Sequence, residues 1–180
     1  MDSIKILEIA ELGNAILREK ASDVEDLRDP EIESFIDDLI ATGINANGVG
    51  IAAPQVSLPK RIFILSSRPN IRYPNAPEMK PTAVINPEII SYLDETVKDW
   101  EGCLSIPGIR GLVPRRKSVY VKYLLRDGTS EEREFSDFIA RVFQHEYDHL
   151  NGVLFLDRLE SNTDIITERE YLKLLRRENE

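Results

Sequence analysis

The chain carries the pattern His-Glu-x-x-His at positions 145–149, inside the heptapeptide Gln-His-Glu-Tyr-Asp-His-Leu at 144–150. Residues four positions apart lie on one face of a helix, one turn from each other. His145 and His149 can therefore reach a single divalent metal ion, and Glu146 can face water at that ion as a general base. The pattern predicts a helix that presents both imidazoles to one ion, and the rest of the fold must supply the missing ligand.

Three helices are predicted along the chain. The helix with the two histidines is expected from about residue 137 to residue 150, with Ser136 as its N-cap. Its apolar residues lie on more than one face, which indicates a central and largely buried helix. A second helix is predicted over 30–46, with Asp29 as its cap, Pro30 at its first position and a buried apolar stripe that includes Ile36 and Leu39. A third helix is predicted over 164–177.

Short apolar runs between the helices predict strands. They cover residues 61–66, 82–86, 89–92, 96–100, 118–125 and 131–135. The runs at 89–92 and 96–100 are expected to pair around Asp94. The dipeptide Asp127-Gly128 between the last two runs is a strong hairpin signal.

The order of these elements predicts an α+β fold, with antiparallel strands around the central helix and helices towards both ends. We expect one domain over residues 1–180, because the length is ordinary for a domain and 42% of the residues are apolar. The formal charge of −9 argues against specific nucleic-acid binding. No apolar run is long enough to span a membrane, and the N-terminus lacks a signal-peptide pattern, so no membrane partner is expected.

The residues alone do not decide which side chain is the third metal ligand. Catalytic zinc sites take three protein ligands and keep one position for water or substrate, yet the chain holds only two histidines and one cysteine. The candidates are the thiol of Cys103 or a downstream carboxylate from Asp157, Glu160 or Asp164. A lone cysteine cannot form an internal disulfide, which favours a reducing compartment, but it can also be a plain buried hydrophobe.

Three motifs occur in order: Gly-Val-Gly-Ile-Ala-Ala-Pro-Gln at 48–55, Glu-Gly-Cys-Leu-Ser at 101–105, and the heptapeptide at 144–150. With them the sequence resembles the peptide deformylases from about residue 6 to residue 159. The resemblance implies an α+β fold and a metal-dependent hydrolase. Such enzymes remove the formyl group from the N-terminal formylmethionine of nascent polypeptides and release formate, so the implied substrate is an N-formylmethionyl peptide.

The resemblance also assigns roles to single residues. The implied metal ligands are Cys103, His145 and His149, the implied acid/base is Glu146, and the implied oxyanion hole is Gln55 with the backbone N–H of Leu104. Gly50 is implied to contact the substrate backbone. The ion implied in the cell is Fe²⁺, for which Zn²⁺, Ni²⁺ or Co²⁺ can substitute.

A methionine side chain needs an apolar slot beside the metal. Val49, Phe138 and Val142 are the candidates for its walls, and the aliphatic stem of Arg141 could line the same slot. Each of these residues could also be an ordinary core residue.

Charged residues near the motifs have two readings each. Asp148 is either the carboxylate partner of a metal-bound histidine or an exposed residue. Glu101 and Arg115 pair either to hold the cysteine loop or as an exposed ion pair. The basic residues between Arg110 and Lys117 are expected in a solvated loop, with steering of a peptide carboxylate as the alternative. Asp137 departs from the family pattern, where glycine is common.

Two rival functions remain at this level. A zincin-type metallopeptidase shares the pattern His-Glu-x-x-His but takes a downstream His or Glu as its third ligand, and a structural zinc module has no use for an acid/base glutamate. Residues 164–180 carry a net charge of −1, a weak footprint for docking on the ribosome, which is one possible partner. The resemblance implies a location in the bacterial cytoplasm, or in an organelle after removal of a transit peptide.

Overall fold

Two antiparallel sheets and three α-helices form the architecture in the computed structural model, which describes residues 4–178. The helices are α1 (Pro30–Asn45), α2 (Asp137–His149) and α3 (Glu168–Glu178). The strands are β1 (Gly50–Ala52), β2 (Ile62–Ser67), β3 (Met79–Tyr92), β4 (Thr96–Cys103), β5 (Ile106–Arg116), β6 (Ser118–Leu124), β7 (Ser130–Ser136) and β8 (Ile165–Thr167). The predicted α+β class is confirmed.

Helix α2 occupies the centre of the fold, as predicted. The larger sheet has the strand order β1-β2-β3-β6-β7 and the smaller one β4-β5-β8. The helix contacts β1, β2, β6 and β7 of the first sheet and β5 of the second. The ring of Phe143 on α2 packs edge-on against Phe63 of β2, with 5.2 Å between the ring centroids. Packing against both sheets buries the helix on more than one face.

The N-terminal ends of helices α1 and α2 are stabilised by different contacts. At α1 the side chain of Asp29 accepts a hydrogen bond from the N–H of Glu31 at 2.9 Å, and Pro30 takes the first position, as predicted. At α2 the N-cap residue is Ser136, as predicted, but its hydroxyl makes no capping hydrogen bond. Asp137 instead has φ of 52° and donates its N–H to the carbonyl of Lys117 at 2.8 Å, which turns the chain sharply from strand into helix.

Strand β3 corrects the predicted pairing around Asp94. Its residues 82–86 and 89–92 belong to one bulged strand that pairs with β2 and β6, whereas β4 pairs with β5 in the other sheet. The irregularity lies at Asn86, which has φ of 48°. Its side chain bonds both the N–H and the carbonyl of Val24, each at 2.9 Å. Because these two bonds stabilise the bulge at Asn86, the strand continues where the sequence indicated a break.

Three strands, β1, β5 and β8, were absent from the sequence prediction. Four prolines and glycines interrupt β5, at Pro107, Gly108, Gly111 and Pro114, and they conceal its strand pattern. Strand β8 falls inside the third predicted helix, which begins only at Glu168. The hairpin at Asp127-Gly128 is confirmed, because β6 and β7 pair in register on either side of it.

The first three and last two residues lie outside the described residues, and the assignment of 1–180 to one domain stays a prediction. Within the described residues 4–178, no helix is long and apolar enough to cross a membrane.

Candidate metal centre

The chain's only cysteine and both of its histidines converge at one point. One ligand atom from each of Cys103, His145 and His149 lies within 4.8 Å of the others, and the Cys103 sulfur is 3.2 Å from Nε2 of His149. The histidines come from successive turns of α2, and the cysteine ends β4. Ligands of a tetrahedral ion bound at roughly 2.0–2.3 Å lie about 3.3–3.8 Å apart, so small movements would complete such a site.

His145 is oriented by Glu101, two residues before the cysteine. Nδ1 of His145 lies 2.9 Å from a carboxylate oxygen of Glu101, which leaves Nε2 for the ion. Arg115 donates to the two oxygens of that carboxylate at 2.9 and 3.0 Å, and Arg141 adds a third bond at 2.8 Å. Burial of Glu101 raises its pKa, but the Arg115 charge outweighs that effect and holds the pKa well below the usual range.

The structure decides between the two interpretations given above for the charged residues near the motifs. Glu101 and Arg115 form a buried pair, so the exposed alternative is wrong. Asp148 is also buried, but it bonds Arg115 at 2.6 Å and Arg158 at 2.7 Å rather than a histidine ring. The residues from Arg110 to Lys117 belong mostly to β5 instead of a solvated loop.

The residues present fit a cation. Burial would lower the pKa of His145, but the Cys103 sulfur and the Glu101 carboxylate outweigh it and raise that pKa well above the usual value. The site therefore attracts positive charge, which an ion could supply in place of the proton. Burial lowers the pKa of His149, which keeps its imidazole neutral for coordination. A sulfur with two imidazoles suits zinc or iron better than magnesium or calcium.

The downstream carboxylates do not reach this centre. Asp157 pairs with Arg18. Glu160 and Asp164 both bond the ammonium of Lys98, each at 2.9 Å. Among the described residues, Cys103 and the two α2 histidines are the one cluster of His, Cys, Asp or Glu side chains placed so that it could hold a metal ion.

Glu146 is buried beside the metal ligands with one oxygen unused. Its Oε2 has no hydrogen-bond partner among the described residues, and burial raises its pKa to about 7. Gly50 on β1 makes room for the side chain, because a Cβ there would lie 2.5 Å from Oε1 of Glu146. A buried carboxyl group with a pKa near neutrality can both accept and return a proton.

Gln55 has its amide orientation fixed at the same point. Its oxygen accepts the N–H of Ala52 at 2.8 Å, and its nitrogen donates to the hydroxyl of Ser105 at 3.1 Å and to the sulfur of Cys103 at 3.5 Å. Leu104 lies beside it, in the two-residue turn between β4 and β5. The Gln55 N–H₂ group therefore faces the metal centre.

A cavity of about 160 Å³ opens onto this centre. It is lined by the residues predicted for the metal, the chemistry and the methionine slot, with the exception of His149: Val49, Gly50, Gln55, Cys103, Leu104, Phe138, Arg141, Val142, His145 and Glu146. The Arg141 guanidinium does not take part in the methionine slot, because it donates to the carbonyls of Val97 and Val113 at 2.7 and 2.8 Å.

Part of this cavity was not predicted from the sequence. Tyr73, Trp100 and Glu168 also line it, and so does Arg110, which was expected in a solvated loop. Tyr73 comes from the loop between β2 and β3, and its ring centroid lies 5.1 Å from that of Phe138. None of these residues belongs to a motif, and only the aromatic residue in an otherwise polar, proline-rich loop was a signal.

Comparisons with known proteins agree with this geometry. A sequence profile of the family described as polypeptide deformylase matches residues 6–164. Peptide deformylase 2 of Nostoc sp. is 57% identical over 171 residues, which cover 95% of this chain and 96% of that protein.

Solved structures give the same result. A Met-Ala-Ser-bound class I type b peptide deformylase from Acinetobacter baumannii has a TM-score of 0.85 at 45% identity, covering 87% of this chain and 100% of that one. Peptide deformylase from Thermotoga maritima has a TM-score of 0.77 at 40% identity, over 87% of this chain and 99% of that one. Because the family profile matches residues 6–164 and a relative is 57% identical over 95% of this chain, the chain belongs to the polypeptide deformylase family.

Proposed function

We propose that the protein hydrolyses the formamide of N-formylmethionyl peptides, with Cys103, His145 and His149 as ligands of one divalent ion. The observation that carries the proposal is the unused, buried carboxylate oxygen of Glu146, next to these three donors and a fixed Gln55 amide. A structural metal site would have no need of that carboxylate. When bound, the ion would supply Lewis-acid activation of water and of the formyl carbonyl.

Glu146 is proposed as the acid/base. It accepts the proton of the attacking water at its free oxygen and passes it to the departing amine. Because burial brings its pKa to about 7, both transfers can occur near neutral pH. Gly50 contributes by leaving space for this carboxylate, besides the proposed contact with the substrate backbone.

Gln55 and the Leu104 N–H are proposed to stabilise the oxyanion. Bonds to Ala52 and Ser105 hold the Gln55 amide before substrate arrives, and a preorganised donor loses little on reaction. The donors lie on two different elements, the turn after β1 and the turn after β4, so the oxyanion would sit between them.

The methionine side chain is proposed to enter the slot formed by Val49, Phe138 and Val142, which line the cavity beside Glu146. Support for a peptide substrate comes from the Acinetobacter relative, which is described as bound to Met-Ala-Ser. In this chain Arg141 acts mainly through its bond to Glu101.

The metal is proposed to be Fe²⁺ in the cell, with Zn²⁺, Ni²⁺ or Co²⁺ as substitutes, since the donor set accepts all four. Association with the ribosome and location in the cytoplasm or an organelle stay predictions.

The test is formate release from formyl-Met-Ala-Ser, measured anaerobically together with metal content. A deformylase yields formate and intact Met-Ala-Ser, whereas a metallopeptidase would cleave the chain between residues. A structural zinc module would do neither. Cys103→Ala should lose the metal, and metal retained in that variant would point to a different ligand set.

A further inference from the structure

The cavity has a deep end and a mouth. At the deep end Gln55, His145 and Glu146 are buried. At the mouth Pro107 and Gly108 of β5 are exposed and still line the cavity. A peptide with its formyl group at the metal therefore leads its second and third residues towards the mouth, past the residues that separate the two ends.

Arg110 forms part of the cavity wall along this path. Its guanidinium is packed so closely over Gly102 that a Cβ there would lie 2.6 Å from Cζ, and Gly102 directly precedes the ligand Cys103. The same guanidinium donates to the Tyr73 hydroxyl at 2.6 Å and lies over the Tyr73 ring, 5.3 Å from its centroid. It also lies 5.0 Å from the ring centroid of Tyr171 on α3. Arg110 is only 3% exposed.

Glu168 holds this wall from the far end of the sequence. Strand β8 pairs with β5 so that Thr167 lies opposite Ile109, and the next residue, Glu168, accepts a bond from Arg110 at 3.1 Å. It also pairs with Arg72 at 3.0 Å. Glu168 thus joins Arg110 of β5 to Arg72 of the loop carrying Tyr73, and it lines the cavity itself.

We propose that Glu168, the first residue of α3, is a positioning residue that sets the affinity for the second and third residues of the peptide by fixing Arg110. The inference rests on the proposed function for the identity of the peptide. It makes the start of the C-terminal helix part of the substrate site, and it leaves the chemistry at the metal unchanged. Loss of the Glu168 carboxylate would remove the anion that Arg110 and Arg72 share.

The test compares a substrate that reaches the wall with one that stops short of it. In Glu168→Gln, KM for formyl-Met-Ala-Ser amide should rise about three- to tenfold, as expected for loss of a partly exposed charged contact. Its kcat and both constants for formyl-methionine amide should stay within about twofold. Binding of the product Met-Ala-Ser amide, measured by calorimetry, should weaken in parallel with KM. The matched control is Glu170→Gln, since Glu170 lies on the same helix and pairs only with the exposed Lys173.

A double-mutant cycle tests the route through Arg110. If Glu168 acts by fixing Arg110, the variant Arg110→Met with Glu168→Gln should bind the tripeptide no more weakly than Arg110→Met alone. Additive losses would overturn the proposal. So would an unchanged KM in Glu168→Gln, or an equal change with both substrates. If the unsubstituted enzyme binds Met-Ala-Ser amide but releases no formate, the proposed function fails, while the binding comparison still decides the role of Glu168.

Discussion

An arginine–glutamate pair lies at each end of the cavity, and the two pairs differ in how far the glutamate is exposed to solvent. At the candidate metal centre, the pair of Arg115 and Glu101 is about 5% and 4% exposed, and Glu101 also bonds His145. At the mouth, Arg110 is equally buried, but its partner Glu168 is 28% exposed. Burial makes the first pair strong and intolerant of change, whereas water competes for the second. Under the proposed function, the buried pair would hold the residues of the chemistry in place, whereas the partly exposed pair would leave the peptide affinity adjustable.

The largest expected effect is at the deep end, on the proton carrier. Glu146→Gln removes a group that can accept a proton but leaves the three ligands in place. We expect kcat for formyl-Met-Ala-Ser to fall by about 10²–10⁴-fold. Metal content, measured on the same sample, should equal that of the unsubstituted protein. Loss of the metal in this variant would show that Glu146 is a ligand.

The second effect probes the carboxylate behind His145. Glu101→Gln leaves Arg115 and Arg141 buried with a neutral partner, which should lower the free energy of unfolding by about 3–5 kcal/mol. Metal affinity should also fall by about 10–100-fold, because His145 loses its acceptor. Urea denaturation and competition with a chelator measure the two quantities. A loss under 1 kcal/mol would show that the deep pair is no stronger than a surface one.

The third effect concerns the oxyanion donor. Gln55→Leu should reduce kcat by about 10²–10³-fold with the metal retained. The control is Ser105→Ala, which removes only the 3.1 Å bond that orients the amide, and it should reduce kcat much less. Equal losses in the two variants would mean that Gln55 acts through local structure.

The smallest effect is expected where the deep network reaches the surface. Arg158 bonds the buried Asp148 but is itself 48% exposed, so Arg158→Met should cost less than about 1 kcal/mol of stability. Arg115→Met should cost about 3–5 kcal/mol, because it removes the buried partner of both Glu101 and Asp148. Thermal or urea unfolding of the two variants gives the ratio. Similar losses would remove burial as the reason for the difference between the regions.

The elements that were predicted correctly are those whose sequence pattern is local. The periodicity around Ile36 and Leu39 and the start at Asp29-Pro30 account for α1, and the pattern at 145–149 correctly predicted a helix that carries both histidines. Local spacing also located the hairpin at Asp127-Gly128. These features depend on neighbours within a few positions, which a single sequence displays.

What the sequence could not show depends on distant contacts. The pairing of β3 with β6 rather than β4 is decided by the bulge at Asn86, which is anchored on Val24. The bond between Glu101 and His145, and the reach of Glu168 to Arg110, join residues far apart in the chain. No spacing rule links such pairs, so the motifs contained Glu101 and His145 but could not show that the two are bonded, and they gave no sign of Glu168 at the mouth of the cavity.

The most direct test of the central claim is formate release from formyl-Met-Ala-Ser by the protein loaded anaerobically with Fe²⁺. Formate and intact Met-Ala-Ser should appear in equal amounts, with one bound ion per chain that is lost in Cys103→Ala. Cleavage between residues, or turnover and metal binding that survive the loss of Cys103, would contradict the assignment of this thiol and the two histidines to a deformylase centre.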